Sequence, residues 1–226
     1  MSVSLTLLSA ERHSRWQIDF RMPVFFRQKP NAKMLSDFLA EQAHLDYSYP
    51  EVGATKSLPP AGYVLDRTRI QLGSGELVFE AAKSALYRWR QMQIGWVDVW
   101  SPDTPLEAGQ DIAIVGRAVG FWWLNACRII YTVDESGDTT RFGFGYGTLP
   151  GHVEMGEERF LIEWDRQIDQ VHYDILAFSK PNHILARIGY PMVRRCQKRF
   201  GRDSSASMFK ASNPGAVMPL PLQSTD

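Results

Sequence analysis

The chain has 226 residues, of which 44% are apolar and 22% are charged, proportions that are typical of a folded globular protein. They exclude a disordered or fibrous protein. The 25 lysine and arginine residues balance the 25 aspartate and glutamate residues, so the overall charge does not favour a nucleic acid or an anionic membrane as a partner.

Two cysteines, Cys127 and Cys196, are too few and too far apart for a disulfide framework or a thiolate metal site. We therefore expect reduced thiols, no metal and no cofactor. The N-terminus lacks the basic segment, apolar segment and cleavage site of a secretory signal. The most apolar stretch, residues 112–130, contains Arg117 and Arg128, which are costly in a membrane-spanning helix. We expect a cytoplasmic protein without membrane insertion.

The first third of the chain predicts two helices. Asn31 is a suitable N-cap for a helix that extends to Ala43 with an apolar face. A second amphipathic helix is expected over Glu76–Gln91, with Ser74 as its N-cap. The glycines beside Ser74 are not followed by the GK[ST] motif of a phosphate-binding loop, so a cap explains them.

After Gly95 the apolar periodicity changes to two, which predicts strands. The connections between them are short turns with no room for crossover helices, so neighbouring strands are expected to be antiparallel. The six predicted strands cover Trp96–Trp100, Asp111–Ala118, Phe121–Val133, Thr139–Gly147, Val153–Trp164 and Val171–Phe178.

The last predicted element is a long helix over Asn182–Phe200. Pro191 lacks a backbone donor and is expected to kink it. Its apolar stripe requires a sheet to cover it, so the element order predicts an α+β architecture. The stripe consists of Ile184, Ile188, Met192, Cys196 and Phe200.

Several motifs resemble those of one family. They are Trp122–Arg128, Gly143–His152 with Glu154, Gly156–Glu158 and Phe160, Ala177–Pro181, Gly189–Pro191, Arg194–Arg195 and Gln197–Phe200. The resemblance covers about Tyr47 to Met208 and is to the domain-of-unknown-function-1990 family of bacteria and plants.

The resemblance implies a fold similar to the START and birch-pollen-allergen proteins. In this helix-grip fold an antiparallel sheet, here of about six or seven strands, wraps around a long C-terminal helix and encloses a cavity. We expect residues 1–46 to be an extension packed on the domain, residues 47–202 to form the helix-grip domain and residues 203–226 to be a mobile tail. The family has no established reaction, so the resemblance implies no catalytic residue.

The densest polar group follows the glycine-rich strand. It comprises His152, Glu154, Glu157 and Glu158. Three interpretations are open: a structural network of ion pairs and hydrogen bonds, polar contacts with a ligand, or acid–base catalysis in which His152 acts with Glu154 or Glu158.

A small apolar or amphipathic ligand between the sheet and the last helix is the leading hypothesis for function, and an enzyme in the same cavity is the alternative. Gly143, Gly145 and Gly147 share one strand face, and such a bare face admits a ligand or a bulky neighbour. Arg128 is expected either to pair with Glu154 or Glu158 or to grip a ligand carboxylate. The predicted ligand-binding residues are Trp123, Arg128, Gly143, Gly145, Tyr146, Gly147, His152, Ile188 and Met192.

The last helix is basic, with seven lysines and arginines and no acidic residue between Lys180 and Arg202. Like charges four residues apart repel, so compensation is expected from Glu157, Glu158 or Glu163 on the sheet. On this interpretation the helix is not a nucleic-acid or membrane site. Its outward cations are Arg194, Arg195, Lys198 and Arg199.

Overall fold

A computed structural model describes residues 24–57, 59–182, 190–216 and 218. It contains one antiparallel sheet with helices on both faces. The strands are β1 (Val24–Phe26), β2 (Val64–Gly73), β3 (Val97–Trp100), β4 (Asp111–Ala118), β5 (Phe121–Glu135), β6 (Thr139–Thr148), β7 (Glu154–Asp165) and β8 (Gln170–Pro181). The helices are α1 (Ala32–Gln42), α2 (Glu76–Tyr87) and α3 (Tyr190–Ser212), with a short 3-10 turn at Ala54–Lys56.

The order of strands across the sheet is β2-β8-β7-β6-β5-β4-β3. Strand β1 pairs with the first residues of β5, next to the segment that pairs with β6. All six predicted strands are present, whereas β1 and β2 were not predicted. The α+β helix-grip arrangement is confirmed, because the sheet packs around the C-terminal helix α3.

The two shorter helices differ in how well they follow the sequence prediction. Helix α1 has the predicted cap, in which the Asn31 side chain accepts the Met34 N–H at 2.9 Å. Helix α2 ends at Tyr87 rather than Gln91, and its N-cap is Gly75 instead of Ser74. The Gly75 N–H donates to the Asp169 carboxylate at 3.0 Å, so a neighbouring loop satisfies the helix start.

Helix α3 extends further towards the C-terminus than predicted. It is described from Tyr190 onward, so its predicted beginning and the kink expected from Pro191 in the preceding turns lie outside the described residues. It continues to Ser212, so residues 203–212, assigned to the tail by sequence, are helical and include the buried Met208 and Phe209. Ile188 lies outside the described residues.

The sheet has two distinct faces. Its inner face, on which α2 and α3 pack, carries Phe142, Phe144 and Tyr146 and forms the larger hydrophobic core. Its outer face carries the three strand glycines and is covered by α1 and the segment of residues 47–57, with a smaller core around Phe38.

Candidate functional site

The inner face changes from apolar to polar towards one end of the sheet. One row of paired residues runs Phe144–Phe160–Ile175 across β6, β7 and β8. The row two residues away runs Tyr146–Glu158–Ala177 and ends at Asp66 on β2. The Tyr146 hydroxyl donates to the Glu158 carboxylate at 2.5 Å. The inner face is therefore amphipathic.

The N-terminal half of α3 lies over the polar end and contacts it through polar side chains. Arg194 forms two hydrogen bonds with the Asp66 carboxylate, one of them at 2.6 Å. Gln197 donates to both oxygens of Glu154, at 2.9 and 2.8 Å, and to the Ser179 hydroxyl at 3.0 Å. We call these contacts of Arg194 and Gln197 the polar latch.

The two halves of α3 are buried to very different extents. The buried residues of this helix are Gly201, Ser204, Ser205, Met208, Phe209 and Ser212, all in its C-terminal half. None of the residues from Tyr190 to Phe200 is buried. The C-terminal half therefore packs on the sheet with buried residues, whereas the N-terminal half reaches it through the polar latch and through Cys196 and Phe200, which are only partly buried against the larger core. The Phe200 ring contacts Phe160 edge-on.

Burial raises the pKa of both inner-face carboxyls. The pKa of Glu154 rises to about 7, although hydrogen bonds from Ser179 and Gln197 act against burial. The pKa of Glu158 also rises to about 7, opposed by its hydrogen bond from Tyr146. The pKa of Tyr146 is raised well above its ordinary value by burial and by Glu158, so its hydroxyl stays a proton donor.

The raised pKa of Glu158 predicts a pH-dependent stability. In the folded protein the Glu158 carboxyl keeps its proton up to about pH 7, whereas in the unfolded chain it loses the proton near its ordinary pKa of 4.5. The free energy of unfolding therefore falls as the pH rises from 4.5 towards about 7. Relative to Glu158→Gln, which cannot ionise, the wild type should lose at most about 3 kcal/mol between about pH 4.5 and about pH 8. The lowered pKa of His152 acts in the opposite direction in both proteins and cancels. Urea unfolding of both proteins across this range is the measurement, and a constant difference would contradict the assignment.

His152 does not join the carboxyl groups in the way that the catalytic hypothesis requires. It lies in the turn before β7, and its Nδ1 accepts the backbone N–H of Glu154 at 3.0 Å. Burial lowers the pKa of His152 to about 4, so the ring is neutral near pH 7. Among the described residues no hydrogen bond connects the ring to the carboxylate of Glu154 or Glu158.

The glycine face is occupied by tyrosines on the outer side of the sheet. A Cβ on Gly145 would lie 2.6 Å from the Tyr131 ring, and one on Gly147 would collide with Tyr49 and Tyr47. A Cβ on Gly143 would meet the backbone of β7 at Phe160. Gly145 and Gly147 therefore accommodate tyrosine rings and Gly143 the close approach of β7, on the opposite face from Tyr146.

Glu157 holds the segment of residues 47–57 against this glycine face. Its buried carboxylate accepts hydrogen bonds from the Tyr49 hydroxyl at 2.9 Å and the Gly53 N–H at 2.7 Å. It also accepts the Thr55 N–H at 2.9 Å and the Thr55 hydroxyl. Glu157 is therefore structural and belongs to the outer face.

Arg128 also lies on the outer face, and its predicted ion-pair partners are wrong. It pairs with Asp111 on the neighbouring strand, with bonds of 2.6 and 3.0 Å, rather than with Glu154 or Glu158. It also donates to the carbonyls of Ala43 and Leu45, at 2.9 and 3.0 Å, just after α1. Arg128 does form an ion pair within the chain, as expected. Through its bonds to Ala43 and Leu45, this arginine holds the end of α1 against the sheet.

The two remaining predicted ligand residues lie nearer the inner face. Trp123 covers Gly116 and lies beside Trp96, with ring centroids 6.3 Å apart, and it is partly exposed. Met192, on the N-terminal half of α3, is 41% exposed. Of the predicted set, the structure therefore places Trp123 and Tyr146 on the inner face.

The positive charge of α3 is compensated by acidic residues other than the predicted Glu157, Glu158 and Glu163. Arg194 pairs with Asp66, and Arg199 pairs with Asp203 of the same helix at 3.1 Å. The predicted partner Glu163 instead pairs with Arg69 and Arg141 across the outer face. Compensation is internal for two of the four cations, and the absence of a nucleic-acid or membrane role for this helix stays a prediction.

Sequence reasoning did not identify Asp66, Ser179 and Gln197 as site residues. Gln197 and Glu154 are separated by 43 positions and Arg194 and Asp66 by 128, so no local pattern relates them. Within the described ranges no group of three or more His, Cys, Asp or Glu residues is placed to hold a metal ion. The described helices include none that is long and apolar enough to cross a membrane.

The sheet wrapped around α3, with a mixed polar and apolar inner face, defines a helix-grip protein. The chain belongs to the family described as a domain of unknown function, DUF1990, whose model matches residues 48–207. A UPF0548 protein of Dictyostelium discoideum is 34% identical over 206 residues, covering 83% of this chain and 95% of that protein. A UPF0548 protein of Arabidopsis thaliana is 39% identical and covers 67% of this chain and 75% of that protein. The solved structure of human STARD10 is 11% identical with a TM-score of 0.42, covering 82% of this chain and 80% of that one.

Proposed function

We propose that the protein binds a small amphipathic molecule between the inner face of the sheet and the N-terminal half of α3. The observation that carries this proposal is the uneven burial of α3, whose first half contributes no buried residue. A helix that only closed a core would bury a stripe along its whole length. We call this proposed binding space, beneath residues 190–200, the cleft.

The walls of the cleft suit a molecule with one polar and one apolar end. The Tyr146–Glu158 pair and the Glu154 carboxyl provide hydrogen-bonding groups at the polar end. The apolar rows around Phe160, the ring of Phe200 and the partly exposed Trp123 supply apolar surface. Sites for small molecules combine largely apolar walls with a few placed polar groups in this way.

A filled-cleft variant tests the proposal. Ala177 lies on the inner face between Glu158 and Asp66, so Ala177→Trp is expected to occupy the cleft. The neutral fluorescent probe N-phenyl-1-naphthylamine should bind the wild type saturably and bind Ala177→Trp at least about tenfold more weakly. Leu77→Trp is the matched control, because Leu77 is 88% exposed on α2 and the added ring leaves the cleft unchanged. Equal binding by Ala177→Trp and the wild type would overturn the proposal.

A second function, acid–base catalysis in the same cleft, has one observation in its favour. Carboxyl groups with a pKa of about 7 are matched to proton transfer at neutral pH, and Glu154 and Glu158 both have such values. Glu158 is the stronger candidate, since Glu154 is held by Gln197 and Ser179. A ligand that is released chemically unchanged from wild type and from Glu158→Gln alike would favour binding alone.

A further inference from the structure

A groove of about 880 Å³ lies at the opposite end of α3 from the polar latch. Its walls are the end of α2 with the turn that follows, the Pro102–Asp103 loop and the last turn of α3. This volume is within the range of small-molecule sites. The groove shares none of its lining residues with the cleft, so it is a separate feature of the fold.

Cations dominate the groove. Arg88, Arg90 and Lys210 line it against one carboxylate, that of Asp103. No carboxylate in the described part of the chain forms an ion pair with any of the three. Three like charges in one concavity repel each other. An anion that binds there would be attracted by all three and would offset this repulsion.

The basic wall is braced by hydrogen bonds. The Arg90 guanidinium donates to the Gln93 side-chain oxygen at 3.0 Å, and the Gln93 amide donates to the Arg88 carbonyl at 3.0 Å. The Ser207 hydroxyl of α3 donates to the Arg90 carbonyl at 2.7 Å. The turn is therefore held together internally and fastened to α3, and such preorganisation lowers the entropy lost on binding.

An aromatic ring stands beside the cations. Tyr87 is 50% exposed, and its ring is supported by Phe142 at a centroid distance of 4.8 Å. A supported and half-exposed ring is a platform on which a planar group can stack. The groove thus offers cations that can bind an anion and, in Tyr87, an aromatic surface that can stack on a planar ring.

We propose that this groove binds a small anion that carries a planar ring, with a nucleoside phosphate as the chemical type. Guanidinium groups match the oxygens of a phosphate, and Tyr87 offers its ring to the base. The site is independent of the cleft. A variant that fills the cleft should therefore leave binding in the groove unchanged.

Calorimetric titration of the full chain with pyrophosphate, AMP and adenosine tests the proposal. We expect saturable binding of pyrophosphate and AMP that weakens from low to physiological salt, and no comparable binding of adenosine. The double variant Arg88→Gln/Arg90→Gln should lose at least about tenfold in affinity for both anions. Tyr87→Leu should weaken AMP but not pyrophosphate. The matched control is Arg195→Gln/Lys198→Gln, which removes two exposed cations of α3 outside the groove.

Three results would overturn the proposal. They are an absence of saturable pyrophosphate binding, equal losses in the groove and control double variants, and adenosine binding as tight as AMP. Lys210→Gln removes the third cation from a different element, so it provides the test if the double variant fails to fold. Unchanged AMP binding in Tyr87→Leu would overturn the proposal that the ligand stacks a planar ring on Tyr87.

Discussion

Glu157→Ala is expected to lower the free energy of unfolding by about 3 to 5 kcal/mol, the largest effect of any single substitution proposed for this protein. Truncation removes a buried carboxylate that accepts hydrogen bonds from Tyr49, Gly53 and Thr55. Each of these donors is then left without its acceptor in a region with little access to water. Chemical unfolding at neutral pH measures the loss.

The matched control for this prediction is Glu135→Ala. Glu135 forms an exposed ion pair with Arg141 at 3.4 Å, and its side chain is 59% exposed. Exposed pairs of this kind contribute little, so the expected change is within about 0.5 kcal/mol. A loss below about 1 kcal/mol for Glu157→Ala would show that the carboxylate does not anchor the segment of residues 47–57.

Gly143→Ala is expected to destabilise the fold by about 2 to 3 kcal/mol. The added Cβ would collide with the Phe160 carbonyl oxygen and lie 2.9 Å from the Leu161 Cα, both backbone atoms of β7. Backbone in the middle of a sheet cannot move aside as the end of a flexible side chain can. The paired strands β6 and β7 would have to separate locally.

Gly137→Ala is the control for the glycine prediction. Gly137 lies in the β5–β6 turn, and a Cβ there would be 3.9 Å from the Thr139 carbonyl oxygen, which is ordinary contact. Its expected effect on thermal unfolding is small. Similar melting temperatures for the two variants would mean that the sheet tolerates a methyl group at Gly143.

The strands were predictable because one face of each is apolar and the turns between them are short. Strand β2 was not predicted, because its inner-face residues include the polar Asp66 and Thr68 before the apolar Ile70 and Leu72. Arg67 and Arg69 pair with Asp174, which is fully buried on β8. These ion pairs stabilise the outer face of β2, but they cannot be recognised from the local sequence, because Asp174 is more than a hundred residues away from both arginines.

For the glycine-rich strand, the sequence pattern was interpreted correctly, but the group that packs against the glycines was not. The three glycines do share a bare face, as alternation requires. That face is filled from within the chain, by Tyr131 and by Tyr47 and Tyr49 about a hundred residues earlier. Nothing in the local sequence distinguishes a tyrosine from a ligand as the neighbour of a glycine.

The candidate site was predicted in part. Glu154 and Glu158 share the inner face, as even positions of one strand do. His152 does not continue this alternation, because the turn after Leu149 includes it, with the His152 N–H donating to the Leu149 carbonyl at 3.0 Å. The latch residues Arg194 and Gln197 become relevant only when α3 is docked on the sheet.

Native mass spectrometry of protein purified under mild conditions tests the central claim, a ligand in the cleft beneath the N-terminal half of α3. For the wild type we predict a defined mass adduct that organic extraction releases as a small molecule. The same adduct should be lost from Ala177→Trp, whose ring is expected to fill the proposed cleft between Glu158 and Asp66, and retained in Leu77→Trp. An adduct of equal abundance in Ala177→Trp, or a wild type that carries the bare chain mass alone, would contradict the account.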